Sequence, residues 1–167
     1  MNSPIPSLTV RLAGPADHPR MDQIRQAAFA PVFASFRQIL GDEIYALAQA
    51  REDNAQGDLL RSLLEPDSGW TVYVAVRAEE LVGFVSIRLN EETKMGEIGL
   101  NAVHPDYTGR GVGTAMYQFA VEKMKESGMR VATVATGGDP SHAPARRAYQ
   151  KAGFTAEIPS VWMCRLI

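Results

Sequence analysis

The feature that most constrains this chain is a glycine-rich turn, VHPDYTGRGVGTAMY, which lies directly before a helical pattern. Gly109, Gly111 and Gly113 alternate within it, and apolar residues then recur at helical spacing. The first backbone N–H groups of a helix have no partner inside the helix, and they lie at the positive end of its dipole. Glycines permit a positive φ and let a ligand approach the backbone closely. The turn therefore predicts an anion site between a strand and a helix.

Two common nucleotide-binding motifs do not match this turn. A P-loop ends in Gly-Lys-Ser or Gly-Lys-Thr, whereas Gly113 is followed here by Thr114 and Ala115, without a lysine. A dinucleotide fingerprint, G-x-G-x-x-G, requires a third glycine at its sixth position. That position holds Thr114 when the motif starts at Gly109 and Met116 when it starts at Gly111.

Composition limits the class of protein. The chain has 167 residues, of which 46% are hydrophobic, and this length predicts one domain over residues 1–167. A net charge of −2 does not favour a nucleic-acid backbone as a partner. No apolar stretch approaches the roughly 20 residues of a membrane span, and the first residues do not resemble a secretory signal. We therefore expect no nucleic-acid or membrane partner.

Cys164 is the single cysteine, so an intrachain disulfide is impossible and a cytoplasmic location is expected. It lies in the apolar stretch SVWMCRLI at residues 160–167, which we interpret as a last strand. A nucleophilic thiol is one interpretation of Cys164. We favour the other, in which it is buried by packing in that strand.

Hydrophobic periodicity predicts a mixed sheet. Residues 8–13 are interpreted as a strand, Asp17 as the cap of a helix that Pro31 breaks or kinks, and residues 42–64 as a second helix. The remaining predicted elements are a hairpin at 70–89, strands at 96–103 and 129–136, helices after the glycine turn and at 143–152, and the last strand. This order predicts an α/β fold of the α+β mixed type, with a central, mostly antiparallel sheet and helices on both faces.

The glycine turn resembles the acyl-CoA signature of the GNAT superfamily, the GCN5-related N-acetyltransferases. That signature is Arg or Gln, two residues, Gly, one residue, then Gly or Ala, and it falls here on Thr108, Gly111 and Gly113. Thr108 departs from it, since the usual long polar side chain is missing. Arg110 supplies a cation two residues later.

A second segment, HAPARRAYQKAGF at residues 142–154, resembles the second motif of the same superfamily. Ala145, Tyr149, Gly153 and Phe154 fit that motif, whereas His142 stands where asparagine is usual. The order of strands and helices fits the superfamily's fold across nearly the whole chain. The resemblance implies an acetyl-CoA-dependent N-acetyltransferase in which an amine attacks the thioester directly, without a covalent enzyme intermediate.

The resemblance also implies which residues bind acetyl-CoA. Backbone N–H groups of the glycine turn would hold the pyrophosphate, with the charge of Arg110 beside them. The alternative is a tight turn with a purely structural role. The residues expected to bind the cofactor are Val103, Thr108, Gly109, Arg110, Gly111, Val112, Gly113, Thr114, His142 and Ala145.

Three groups are candidates for the chemistry. Glu97, eleven positions before Thr108, stands where a branch of the family has its glutamate base, and alternation places it on one strand face with Gly99, Asn101 and Val103. An ordinary salt-bridged glutamate is the alternative. A backbone N–H near Val103 is expected to stabilise the oxyanion. Tyr149 is the candidate acid for the leaving thiolate, and a Tyr packed against the sheet is its alternative.

His142 has two interpretations of equal weight. It contacts pantetheine or carries a proton, or else it caps the following helix or faces solvent. On the acceptor side, the resemblance points to the first helices and the end strands. The candidates there are Phe29, Phe33, Phe36, Tyr45, Asp42, Glu43, Trp70 and Trp162.

Three questions stay open at the level of sequence. A non-catalytic acyl-CoA-binding module is the alternative to an enzyme. The amine acceptor is either a small molecule, such as a metabolite or antibiotic, or a protein. The resemblance implies that many relatives pair through end strands, so SVWMCRLI either forms a homodimer interface or packs in the core.

Overall fold

The computed structural model describes residues 7–167. Along these residues the strands and longer helices are β1 (Leu8–Leu12), α1 (His18–Leu40), α2 (Asp42–Ala48), α3 (Ala50–Leu63), β2 (Thr71–Arg77), β3 (Glu80–Asn90), β4 (Met95–Val103), α4 (Val112–Glu126), β5 (Val131–Val134) and α5 (Ala143–Lys151). Within this part of the chain, no helix is both long and apolar enough to cross a membrane.

The strands form one sheet in the order β1-β2-β3-β4-β5. The first four strands pair antiparallel. Short turns join β2 to β3 and β3 to β4, whereas α1, α2 and α3 lie between β1 and β2. β5 pairs parallel with β4, because the chain crosses back through α4 before it enters β5. The predicted mixed, mostly antiparallel sheet is confirmed.

Two apolar cores cover the two faces of the sheet. Met116 and Met124 of α4 pack with Tyr149 of α5 against one face. Residues of α1 and α3, among them Ile24 and Leu60, pack against the other face. Because helices bury both faces, the position of each polar side chain along a strand decides which layer it reaches.

A β-bulge in β4 changes the face on which its side chains lie. Val85 of β3 opposes Asn101, but Ile87, two residues later, opposes Ile98, three residues away on β4. The extra residue interrupts the alternation of β4. Ile98 and Asn101 both reach the α4 face, whereas Glu97 lies on the opposite side, where it pairs with Arg88. The predicted common face of Glu97 and Asn101 is therefore wrong.

β4 and β5 separate beyond a short paired segment. Their pairing runs from Met95 with Val131 to Ile98 with Val134, whereas β4 continues to Val103. Among the described residues, no strand pairs with this edge of β4 beyond Ile98. The sheet therefore opens between the two strands, directly ahead of the glycine turn that follows β4.

Three predictions on the first helices were wrong or incomplete. The Asp17 carboxylate makes no cap to α1 and instead accepts hydrogen bonds from Arg11 and from the N–H of Gly14. α1 continues through Pro31, so that proline does not end the helix. The stretch predicted as one helix over 42–64 forms α2 and α3, which meet at Gln49.

The predicted last strand at 160–167 is also wrong. Residues 154–167 form no helix or strand, and the large apolar side chains of this stretch are exposed, including Val161, Trp162 and Met163. Cys164 is exposed rather than buried in the core. The sequence marks an apolar segment, but a strand also needs a neighbouring strand, and no strand of the described chain pairs with this segment.

Candidate functional site

The glycine turn forms an open cup of backbone N–H groups at the start of α4. Gly111 is the N-cap residue, with φ of 81°, and Gly109 also has a positive φ, of 73°. The Gly111 carbonyl accepts its first bond from the N–H of Ala115. The N–H groups of the first three helical residues therefore have no intrahelical acceptor, and no side chain caps them.

The surroundings of this cup suit an anion. The first turn of α4 contains no acidic residue, and the space beside Gly109 and Gly111 is empty, since an added Cβ would have no neighbour within 4 Å. Arg110 is exposed, with its guanidinium 5.8 Å from the Tyr107 ring. The Thr108 hydroxyl donates to the carbonyl of Pro105 at 2.8 Å, so it braces the turn.

Tyr149 lies in a buried polar cluster with Tyr117 and Asn101. The Tyr149 hydroxyl is 3.0 Å from Asn101 Nδ2 and 3.3 Å from Asn101 Oδ1. Tyr117 donates to the same Oδ1 at 2.7 Å, and Asn101 Nδ2 also donates to the Gly99 carbonyl at 2.9 Å. The ring centroids of the two tyrosines are 4.3 Å apart. The β4 bulge thus places Asn101 where it orients both phenols.

Both tyrosines of this cluster are protonated at neutral pH. Burial raises the pKa of Tyr117 well above its usual value, and the neighbouring Tyr149 raises it further. Burial also raises the pKa of Tyr149, partly offset by its interactions with Asn101 and Tyr117. Tyr149 can therefore donate a proton or a hydrogen bond across the neutral range.

Glu97 lies across β4 from this cluster, in a half-exposed position. Its Oε2 accepts a hydrogen bond from Arg88 at 2.6 Å, and the Arg88 guanidinium also lies 4.7 Å from the Trp70 ring centroid. Glu97 and Thr133 line a surface cavity of about 560 Å³ at the paired end of β4 and β5. The glutamate is therefore salt-bridged, as one interpretation held, and its carboxylate borders open space.

His142 is fixed by its neighbours at the start of α5. Its Nδ1 lies 2.5 Å from Asp139 Oδ1, and its ring stacks on Phe36 with centroids 5.9 Å apart. Burial opposes ionisation of Asp139, but hydrogen bonds from Ser141, His142 and Ser35 outweigh it and lower the pKa of this carboxyl to about 2. His142 provides no side-chain cap to α5, so that alternative is wrong.

His142 also borders a cavity between α1 and α3, with a volume of about 410 Å³. Three of the aromatic residues predicted on the acceptor side, Phe29, Phe33 and Phe36, line it together with Glu52 and Asp53. Two other acceptor candidates lie elsewhere: Trp70 stacks on Arg88, and Trp162 is exposed. Tyr45 does not line the cavity, but its hydroxyl donates a hydrogen bond to Asp53, which does.

The Asp53 carboxylate is buried without a cation. It accepts hydrogen bonds from Tyr45 at 2.7 Å and Gln49 at 2.9 Å, and the bond to Asp53 raises the pKa of Tyr45. Among the described residues, neither Asp53 nor Glu52 takes part in an ion pair. The cavity thus combines aromatic walls with two carboxylates that no side-chain cation neutralises.

Val103 and Ala145 join the glycine turn to the tyrosine cluster. Val103 lies beside Gly113, 3.8 Å from the position of an added Cβ, and both Val103 and Ala145 pack on the core that contains Tyr149. Sequence reasoning missed Asn101, Tyr117 and Asp139 as members of the site. Two of them had a signal in the sequence. Asn101 is a polar residue in an apolar strand, and Tyr117 lies on the inner face of the helix after the glycine turn.

The chain is similar to known acetyltransferases in sequence and to solved N-acetyltransferase structures in fold. The family model "Acetyltransferase (GNAT) family" matches residues 33–154. A mycothiol acetyltransferase from Sanguibacter keddieii is 32% identical over 117 residues, which cover 66% of this chain. They cover only 36% of that relative, so the chain spans about a third of its length.

Two solved structures share the fold at low sequence identity. The PaiA N-acetyltransferase from Thermoplasma acidophilum, in complex with coenzyme A, has a TM-score of 0.69 and 18% identity, with 92% of this chain and 93% of that one covered. The ribosomal-protein-S18-alanine N-acetyltransferase from Escherichia coli has a TM-score of 0.65 and 15% identity, with 91% and 80% covered.

Proposed function

The chain belongs to the acetyltransferase (GNAT) family, and from this premise we propose that it transfers the acetyl group of acetyl-CoA to a primary amine. The observation that carries the proposal is the uncapped N–H cup of α4 beside the opening between β4 and β5. Tyr149 lies on the same layer as this cup. The N–H cup that would bind CoA and the candidate proton donor therefore lie on the same face of the sheet, and the cup lies beside the opening between β4 and β5.

The residues present fit a CoA pyrophosphate. The N–H groups of Val112, Gly113 and Thr114 are free of intrahelical partners, and the space beside Gly109 and Gly111 admits a bulky anion. Arg110 adds an exposed positive charge to the same turn. Thr108 supports the turn rather than binding the anion through its side chain, since its hydroxyl is already bonded to Pro105.

Proton transfer is assigned to groups on the two sides of β4. When bound, acetyl-CoA supplies an activated acetyl thioester that an uncharged amine attacks directly. Tyr149 delivers a proton to the departing sulfur, and Asn101 and Tyr117 hold its hydroxyl in place. Glu97 lies on the opposite side of the strand and does not line the cavity between α1 and α3, so we assign it the proton of the amine through water rather than by direct contact. A backbone N–H near Val103 stabilises the oxyanion.

For the acceptor, the cavity between α1 and α3 favours a small cationic amine with an apolar body. Its volume falls in the range typical of small-molecule sites, about 300–1,000 Å³. Asp53 and Glu52 attract a protonated nitrogen that is not the reacting one, while the phenylalanines contact the apolar part. A protein acceptor would use a wider groove, so this cavity supports the small molecule over the protein.

The broader assignments follow from the same premise. Residues 1–167 are proposed to form one acetyltransferase domain. A cytoplasmic location is favoured because the single cysteine leaves no intrachain disulfide. A homodimer through the segment around SVWMCRLI is also proposed.

Calorimetric titration and an acceptor screen test the function together. We expect acetyl-CoA to bind in the micromolar range and free CoA to be released with aliphatic diamines or amino sugars. Asp53→Asn should raise the KM of an acceptor with a second cationic group and leave that of an aromatic amine, uncharged at neutral pH, unchanged. Acetyl-CoA binding without release of CoA for any amine would instead favour the non-catalytic acyl-CoA-binding module, and no binding at all refutes both.

A further inference from the structure

His142 and Asp139 form a hydrogen-bonded pair beside the cavity between α1 and α3. Their side chains expose only 17% and 11% of their surface, and His142 Nδ1 lies 2.5 Å from Asp139 Oδ1. Since the pKa of Asp139 is lowered to about 2, its carboxylate is ionised at neutral pH and can only accept a hydrogen bond. Nδ1 must therefore donate, which leaves the lone pair of the neutral imidazole on Nε2.

Nε2 of His142 is the ring nitrogen that stays free for a ligand. Among the described residues it has no hydrogen-bond partner, yet it is not sealed from solvent, in contrast to Nε2 of His18. His142 lines the cavity together with Glu52 and Asp53 of α3. Nε2 is thus the polar atom that the ring presents to an acceptor bound there.

The turn between β5 and α5 is built around this pair. A Cβ at Gly137 would lie 2.5 Å from His142 Nδ1 and 2.6 Å from Asp139 Oδ1, so a larger residue would displace both groups. Arg146 donates to the carbonyls of Gly137 and Asp139, and Ser35 of α1 donates to the Asp139 carboxylate at 2.9 Å. The turn follows β5, whose separation from β4 opens the sheet, so the pair is held in place beside that opening.

An alkyl amine has two protons to lose before it becomes an amide. At neutral pH it is an ammonium, whose nitrogen has no lone pair for attack. Glu97, acting through water, accounts for the N–H proton that is lost as the C–N bond forms. The earlier proton, which the ammonium must lose before attack, needs a second acceptor. An imidazole suits that step, because its ordinary pKa lies near neutrality.

We propose that His142 is the base that removes this earlier proton, and that Asp139 orients it. This role rests on the proposed acetyl transfer. Nε2 takes a proton from R–NH₃⁺, which leaves R–NH₂ and an imidazolium paired with Asp139. The amine nitrogen then bonds to the acetyl carbon as the C–S bond breaks, and Tyr149 protonates the sulfur. The second N–H proton passes through water to Glu97 and replaces the one that Tyr149 gave, while the imidazolium returns its proton to solvent.

The charges around the pair favour an ammonium at this position. Asp139 lies on the same turn, and α3 contributes Glu52 and Asp53 to the cavity. α1 contributes only uncharged side chains to the pair and to the cavity, and Arg146 of α5 is engaged by backbone carbonyls. Negative charge attracts the ammonium and stabilises the imidazolium formed from His142. A diamine whose first ammonium is held by Asp53 offers its second to Nε2.

Two acceptors, one charged and one uncharged at the reacting nitrogen, test this role. His142→Gln keeps a polar side chain but cannot take up a proton near neutral pH. At pH 7 its kcat should fall at least about 100-fold with 1,4-diaminobutane, but less than about fivefold with an aromatic amine that is already uncharged. The deficit with the diamine should narrow at about pH 9, where more of the amine is free. Saturating acetyl-CoA keeps any change of cofactor affinity out of this comparison.

Asp139→Asn tests the orientation of the ring. Asp139 Oδ2 accepts a hydrogen bond from the N–H of Ser141, which can only donate, so asparagine would place its oxygen there and its NH₂ group toward His142 Nδ1. The ring proton would then move to Nε2, and no lone pair would face the cavity. We expect the same contrast between the two acceptors as in His142→Gln. His18→Gln, the same substitution outside the cavity lining, is the matched control and should leave both rates unchanged.

¹⁵N NMR of the imidazole rings gives a measurement that needs no turnover. The chain has three histidines, so comparison with His142→Gln and His18→Gln identifies their signals. In the presence of CoA, which has no acetyl group to transfer, 1,4-diaminobutane should shift Nε2 of His142 and leave that of His18 unchanged. An unmoved Nε2 of His142, or equal losses of kcat with both acceptors, overturns its role as base and leaves the proposed function standing. A wild-type chain that releases no CoA with any amine overturns both.

Discussion

The contacts of the Tyr149 hydroxyl predict how much stability the protein loses when this hydroxyl is removed. Tyr149→Phe removes two interactions with Asn101, at 3.0 and 3.3 Å, but Asn101 keeps the bond from Tyr117 and its own bond to the Gly99 carbonyl. No buried polar atom of Asn101 is left alone, so the stability cost should be that of an ordinary hydrogen bond, about 0.5–1.5 kcal/mol. For a chain of this size this lowers Tm by about 2–4 °C per kcal/mol.

The effect on turnover should be much larger. A positioned general acid contributes about 10²–10⁴-fold to a rate, so kcat should fall by at least about 100-fold while acetyl-CoA affinity changes little. Steady-state release of CoA gives kcat, calorimetry gives affinity, and thermal denaturation gives stability. Because burial raises the pKa of Tyr149, its donor role should persist through neutral pH and be lost only above its usual value near 10.

Tyr117→Phe is the matched control for this reasoning. It removes an equally buried hydroxyl from the same Asn101 oxygen, at 2.7 Å, so the change in stability should be similar. It removes no assigned proton donor, so kcat should fall far less. Equal losses of kcat in the two variants would mean that the tyrosine pair is only a structural unit and would refute the assignment of Tyr149 as the acid.

Three further predictions follow from the site. Gly111→Val places a side chain at φ of 81° over the N–H cup, so acetyl-CoA binding should weaken at least about 100-fold. This loss exceeds the roughly 1–2 kcal/mol that backbone strain alone would explain. Unchanged binding in the calorimetric titration would exclude the cup as the binding site of acetyl-CoA. Glu97→Gln should lower kcat by at least about 100-fold if Glu97 is the base, with a stability change under about 1 kcal/mol because its ion pair with Arg88 is exposed; an unchanged kcat favours a water chain as base. Asp139 has a pKa lowered from 3.8 to about 2, so it stabilises the fold above pH 4 by roughly 2 kcal/mol, and this contribution is lost as pH falls toward 2. Asp139→Asn should therefore be less stable than wild type at pH 7 in urea unfolding and nearly equal at pH 2, and a gap independent of pH would contradict the charge-based account.

The sequence alone determined the family and the binding turn. Gly109 and Gly111 lie where a positive φ is needed, and the helix that follows begins at Val112, as the periodicity predicts. These features depend on contacts between residues close in the chain, so a local pattern contains them. The order of strands and helices likewise limited the fold to a mixed sheet, which the structure confirms.

Tertiary structure decided which side chains share a site. The alternation of β4 predicted Glu97 and Asn101 on one face, but one extra residue in the bulge reversed that, and this could not be read from apolar periodicity. Asn101, Tyr117 and Tyr149 come from two helices and a strand far apart in the chain, and only packing shows that one amide orients both phenols.

The apolar segment at residues 155–167 shows the same distinction. Its apolar composition was visible in the sequence, and on that basis residues 160–167 were predicted to form a last strand. Whether such a segment forms a strand depends on the strands beside it, and no strand of the described chain pairs with residues 155–167. Local hydrogen bonds and turn geometry are encoded within a few residues, whereas strand partners and shared sites depend on surfaces that exist only after the chain has folded.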